Sequence, residues 1–143
     1  MSLYAFLLMK RLLSIFFLIS LACLVVFGGC SSKNKKLNHK LNEMASSLNG
    51  STPVMLDRFT RFDSASVTMD NEFCYYYTIL NTTNADSLFK ELKQSISENI
   101  RSQVASSPDL RIFRDNDVTL RYFYRDSLQN IVHDITVTPA QYK

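Results

Sequence analysis

The chain has 143 residues, three Cys, three Gly, no Trp and a formal net charge of +3. That length fits one ordinary domain. It excludes a doubly wound nucleotide domain or a (β/α)₈ barrel, and three Gly leave no glycine-rich phosphate loop of either common spacing. Nothing in these counts names an activity, so the informative questions are address, attachment and fold.

Residues 1–29 differ in kind from the rest. Lys10 and Arg11 precede an almost unbroken apolar run over residues 12–27, followed by Gly28, Gly29 and Cys30. A charged start, an apolar middle and small residues before a cut are the layout of a secretory signal. The string Val26-Phe27-Gly28-Gly29-Cys30 resembles the lipobox of bacterial lipoproteins, with Phe27 where that pattern prefers Leu. The resemblance implies a lipid carrying acyl chains such as palmitate on the Cys30 thiol, cleavage just before it, and attachment to a membrane through that lipid. The alternative is an uncleaved anchor, but the run falls short of the ~20 residues a bilayer requires. Lengthening it over residues 3–8 would bury Lys10 and Arg11. Both readings put the remainder outside the inner membrane. Met9-Lys10-Arg11 has the form of a translation start, which would leave the first eight residues out of the natural protein. Ser31 follows Cys30 where an Asp would retain some lipoproteins at the inner membrane, so the expected address is the cell envelope, at the outer membrane and facing the periplasm.

Lys10 and Arg11 belong to the signal, and Lys33, Lys35 and Lys36 to a polar tether over residues 30–36. A single domain over residues 37–143 then holds 11 basic and 13 acidic residues, a net −2. A nucleic-acid partner needs a clustered basic face on the domain itself, and none is visible. With Cys23 in the signal and Cys30 lipidated, only Cys74 remains and no internal disulfide is possible. The core alone must hold the domain.

In chain order, Leu37, Leu41, Met44, Ala45 and Leu48 recur at helical spacing. The helix ends at Asn49-Gly50, where Gly suits a left-handed cap. Ser51-Thr52-Pro53 is a connection, residues 60–69 read as a strand, and Asp70-Asn71-Glu72 as a turn. Residues 73–80 form the clearest strand, with Phe73, Tyr75, Tyr77 and Ile79 on one side and Cys74, Tyr76, Thr78 and Leu80 on the other. Asn84 caps a second helix, Asp86 suits its first turn, and Phe89, Leu92, Ile96, Ile100 and Val104 form its stripe up to Pro108. Leu110 and Phe113 suggest a short turn. Strands over residues 118–125 and 131–138 follow, joined by a hairpin loop at residues 126–130. The expected fold is α+β in the order α-β-β-α-β-β, a four-stranded antiparallel sheet with two helices packed on one face.

Several strings accumulate along this path: Thr52-Pro53, Leu56-Asp57, Thr60-Arg61-Phe62-Asp63-Ser64, Tyr75-Tyr76-Tyr77-Thr78, Val118-Thr119-Leu120-Arg121-Tyr122 and Ile135-Thr136-Val137-Thr138-Pro139. Together they resemble an uncharacterised family of small exported bacterial proteins that pairs a Pro-x-x-x-Asp-x-x-Thr segment with a Tyr-x-Tyr-Thr strand. The likeness covers most of residues 37–142. It implies the fold and the exported compartment, and no activity.

Candidate chemistry is thin. Cys74, His133 and Asp134 are the only residues suggesting a thiol hydrolase, yet alternation turns Asp134 away from His133, and Cys74 lacks a helix N-terminus to activate it. His39 and His133 lie on different elements without ligand spacing for a metal. Asp109, Asp115, Asp117 and Asp126 lack the spacing and turn Gly of a calcium loop. Asp57, Thr60, Arg61 and Asp63 are expected to anchor the helix-strand junction by local hydrogen bonds. No enzyme, cofactor or metal is therefore expected. The aromatic strands are more telling: Tyr76, Arg121, Phe123 and Arg125 fall on the sheet face turned from the helices, where they are either ordinary cross-strand pairs or, by composition, a partner face. The expected function is a non-enzymatic envelope lipoprotein that binds another envelope protein. The second reading is a carrier of a small apolar or lipid-like ligand between sheet and helices.

Overall fold

A computed structural model describes residues 29–82 and 84–143. The expected signal, up to residue 28, and the lipid on the Cys30 side chain lie outside what it describes. Residues Leu37–Lys143 form one compact unit.

The first helix, α1, is Gly29–Asn49. It begins well before the apolar stripe and takes in the residues expected as a tether, of which the three Lys alone are strong helix formers. Lys33, Lys35 and Lys36 are exposed, whereas Leu41 and Ala45 are buried, with Leu37, Met44 and Leu48 packed beside them. The left-handed cap expected at Gly50 does not form, since no described Gly has a positive φ. The helix instead tightens, with Gly50 N donating to Ser46 O at 3.1 Å and Ser51 N to Leu48 O at 3.1 Å.

Five strands follow: β1 Val54–Met55, β2 Thr60–Val67, β3 Phe73–Ile79, β4 Leu120–Arg125 and β5 Ile131–Val137. They form one sheet in the order β1-β2-β3-β4-β5. The expectation of four strands, all antiparallel, is corrected twice. β1 is an additional edge strand of two residues, too short to show any periodicity. β3 and β4 are parallel, while the other neighbours are antiparallel. The second helix, α2 (Ala85–Ser106), lies between them in sequence. A long helical crossover is what returns a chain to the same end of a sheet and delivers a parallel neighbour, which a short hairpin cannot do.

The caps of α2 agree with the sequence. Asn84 Oδ1 accepts from Ser87 N at 3.1 Å, Asp86 stands in the first turn, and Ser107 ends the helix before Pro108. The short turn expected at Leu110 and Phe113 is a 3₁₀ turn, Pro108–Leu110, running into a third helix, α3 (Arg111–Asp115). Phe113 is fully buried, with its ring 5.1 Å from that of Phe73. Tyr142 closes this end by donating its hydroxyl to Val118 O at 2.7 Å.

The helix-facing side of the sheet is an aromatic core. Tyr75 stacks on Tyr122 at 4.9 Å and Tyr77 on Tyr124 at 5.1 Å, while Phe89 of α2 meets Tyr124 at 4.6 Å. Burial pushes the phenols of Tyr75, Tyr77 and Tyr122 far above their usual range, and that of Tyr124 up to about 12. The architecture of the described residues is α+β, with three helices and a mostly antiparallel five-stranded sheet.

Candidate functional site

Side chains alternate along a strand, and neighbouring strands in register bring like-facing residues together. On the face away from the core, Tyr76 lies opposite Phe123, Cys74 opposite Arg121 and Thr78 opposite Arg125. The Tyr76 and Phe123 rings stack at 5.3 Å with 13° between their planes. The Arg121 guanidinium sits 4.7 Å from the Phe123 centroid, and that of Arg125 sits 4.7 Å from the Tyr76 centroid. All four residues named from the sequence thus form one continuous half-buried layer.

The anchors of this layer are weak where its cations are concerned. Arg121 reaches Glu72 only at 3.8 Å, and Arg125 has a 3.4 Å contact to the neutral Gln129 with no carboxylate partner among the described residues. The Tyr76 hydroxyl shares a 3.2 Å hydrogen bond with Ser66 Oγ. Such a surface offers flat rings and incompletely neutralised guanidinium groups, the side chains that dominate many protein interfaces.

The junction group does form local bonds. Asp57 Oδ1 accepts from Phe59 N at 2.7 Å and Thr60 N at 2.8 Å. Burial raises the Asp57 carboxyl, but these donated amide bonds outweigh it and leave the group below its usual value. A bulge between Phe62 and Ser64 turns Asp63 so that it bonds Arg61 Nε at 2.6 Å and accepts from the buried Thr78 hydroxyl at 2.5 Å. Two spacings in the sequence thereby acquire causes: Asp57 to Thr60 is a side-chain-closed turn, and Thr78 satisfies Asp63.

Cys74 and His133 lie on opposite faces of the sheet, so the pair cannot share a proton. Cys74 is buried beside Ser66 and Arg121 on the outer face, and burial, its largest influence, pushes the thiol up. His133 pairs with Tyr124 and stacks on Phe89 at 4.3 Å. Its Nε2 lies 2.8 Å from Asp86 Oδ1 without an aligned hydrogen bond. Among the described residues no group of three or more His, Cys, Asp or Glu is placed to hold a metal ion. Asp115 and Asp117 are instead engaged by Arg111 and Lys143, and Asp126 Oδ1 accepts the Leu128 and Asn130 amides.

The sequence assigned no residues to the apolar cavity of about 370 Å³ between α2 and the segment after β1, which is lined by Phe59, Ile79, Phe89, Leu92, Ile96 and Tyr124 together with Asp57, Arg58 and Thr60. Its one signal was Leu92, a stripe residue that remains 47% exposed. Val54, Met55 and Leu56 are exposed close by in sequence. No described helix is long and apolar enough to cross a membrane.

Residues 36–132 match the model of a family described as a domain of unknown function, DUF8479. No curated protein has a significant sequence match to the chain. Three solved structures share its fold. A protein of Pseudomonas aeruginosa described as secreted has a TM-score of 0.69 at 15% identity, covering 80% of this chain and 100% of its own. The type 2 secretion system pilotin EpsS of Vibrio vulnificus has a TM-score of 0.61 at 18% identity, covering 79% and 97%. The type II secretion system pilotin AspS of Vibrio cholerae has a TM-score of 0.59 at 17% identity, covering 80% and 99%.

Proposed function

The chain belongs to the DUF8479 family, and we propose that it is an envelope lipoprotein, anchored through a lipid on Cys30 at the outer membrane, whose domain binds another envelope protein without catalysing a reaction. The observation that carries the reading is the layer of Arg121, Phe123, Tyr76 and Arg125 on the outer sheet face. Tyr and Arg side chains are enriched among the few residues that carry most of the binding energy of protein interfaces. The pilotin names of two proteins with this fold favour a role attending a larger envelope assembly, and the secreted description of a third favours export.

Photo-crosslinking from position Ser64, opposite Tyr76, in intact envelopes tests it. One reproducible protein adduct is expected, lost in Phe123→Ala and kept in Leu92→Ala. An adduct indifferent to Phe123 removes the outer face from the reading. Mass spectrometry of the mature N-terminus should find acyl chains on Cys30, and Cys30→Ser should release the protein from membranes.

A second reading rests on the cavity beside Leu92, whose size and lining suit a small apolar or lipid-like ligand. A fluorescent fatty acid should be taken up by the protein and excluded by Leu92→Trp. Uptake unaffected by that substitution rejects the reading.

A further inference from the structure

The two ends of the sheet are finished differently. Beyond the short β1, the flank of β2 is closed by α1: the Asn49 amide accepts from Ala65 N at 2.7 Å and donates to Ala65 O at 2.9 Å. Asn38 Nδ2 likewise donates to Thr68 O at 2.9 Å. A side-chain amide here stands in for a neighbouring strand. At the other end β5, Ile131–Val137, pairs with β4 alone. Among the described residues no backbone group outside that pairing bonds to it, and α2 meets its core side through Phe89 and Asp86 against His133. The strand contains neither Pro nor Lys, two of the means of blunting an edge; its one irregularity, at Val132, lies at its start, and the run Ile131–Val137 has a full strand length.

One side chain gives this edge a preference. Asp134 lies mid-strand on the outer face, opposite Phe123, exposed and without an ion pair among the described residues. We propose that the β5 edge receives an extended segment of another polypeptide as a sixth strand, with a basic residue of that segment opposite Asp134. Backbone pairing supplies the attachment and the carboxylate selects the register. A second copy of the chain fits poorly: antiparallel β5 strands centred on Asp134 would set two carboxylates opposite one another, and centring on Ile135 would face each with Thr136. This site uses the edge rather than the stacked layer, so it stands or falls separately from the outer-face reading.

Amide hydrogen exchange of the full chain in detergent, with synthetic seven-residue peptides of alternating Thr and Val, tests the proposal. An Arg-centred peptide should slow exchange at alternate amides of Ile131–Val137 and bind about fivefold more tightly than its Glu-centred counterpart. Asp134→Lys should reverse that order, and an Arg-centred peptide N-methylated throughout should not bind. Equal binding of the methylated peptide, equal affinity of the Arg and Glu peptides, or exchange changes that leave β5 untouched would each overturn it. So would β5 protection that grows with protein concentration in the absence of peptide, which would mark self-pairing.

Discussion

β3 carries three consecutive tyrosines, and the two faces of the sheet put them to opposite uses. Tyr75 and Tyr77 turn toward the helices and stack on Tyr122 and Tyr124 within a core that also holds Phe73 and Phe89. Tyr76, between them, turns outward and stacks on Phe123 between two arginines. Ring chemistry is the same on both sides and the stacking distances are similar. What differs is the packing: inside, the half-buried Tyr75 and Tyr77 lie against a core that holds the buried Tyr122 and Tyr124 and remove apolar surface from water with it; outside, Tyr76 and Phe123 are both half-buried and stack only on each other and the two arginines.

The largest effect that sharpens this contrast is Phe73→Ala. Phe73 is fully buried between Tyr75 and Phe113, and deleting its ring should cost ~3–5 kcal/mol in urea unfolding. Next comes alkaline pH. The unfolded chain ionises its phenols near their ordinary value, while Tyr75, Tyr77 and Tyr122 stay protonated in the fold. Stability is therefore intact below about pH 10 and falls as pH rises above it, by ~1.4 kcal/mol per pH unit for each buried ring. Phenolate absorbance should appear together with loss of circular dichroism. Absorbance rising by several rings before unfolding would break the assignment of those rings to the core.

A smaller effect separates the two edges. Asn49→Ala removes both partners of the Ala65 backbone and should cost ~1–3 kcal/mol, with faster exchange of the Ala65 amide. Asp134→Ala on the open edge should leave stability within ~0.5 kcal/mol of the parent.

Alternation made the division of the tyrosines legible from sequence, because period 2 needs no tertiary knowledge. The stripe of α2 and its Asn84 cap were legible for the same reason, each resting on contacts within a few residues. The parallel pairing of β3 with β4 was not, since strand direction is decided by where α2 carries the chain and both directions have identical periodicity. β1 escaped because two residues define no period, and the Gly50 cap because composition permits a left-handed residue without requiring one. Tyr76, Arg121, Phe123 and Arg125 could be grouped by parity, but that β3 and β4 lie side by side in this register came only from the fold. The residues lining the cavity beside Leu92 could not be assigned, since a stripe residue left uncovered reads like one that is packed.

A modest expected change in stability decides most about the outer face. Phe123 is half-buried, its ring touching Tyr76 and the Arg121 guanidinium. A cross-strand aromatic pair and an exposed cation–π contact are each worth at most about 1 kcal/mol, so Phe123→Ala should lower the unfolding free energy by ~1 kcal/mol. Its partner adduct in envelopes should nevertheless disappear. A loss near that of Phe73→Ala, with the adduct intact, would mean that the outer rings serve the fold as the inner ones do. A small loss with the adduct gone would mean that one residue's shift in parity changes a tyrosine from a core residue to a recognition residue.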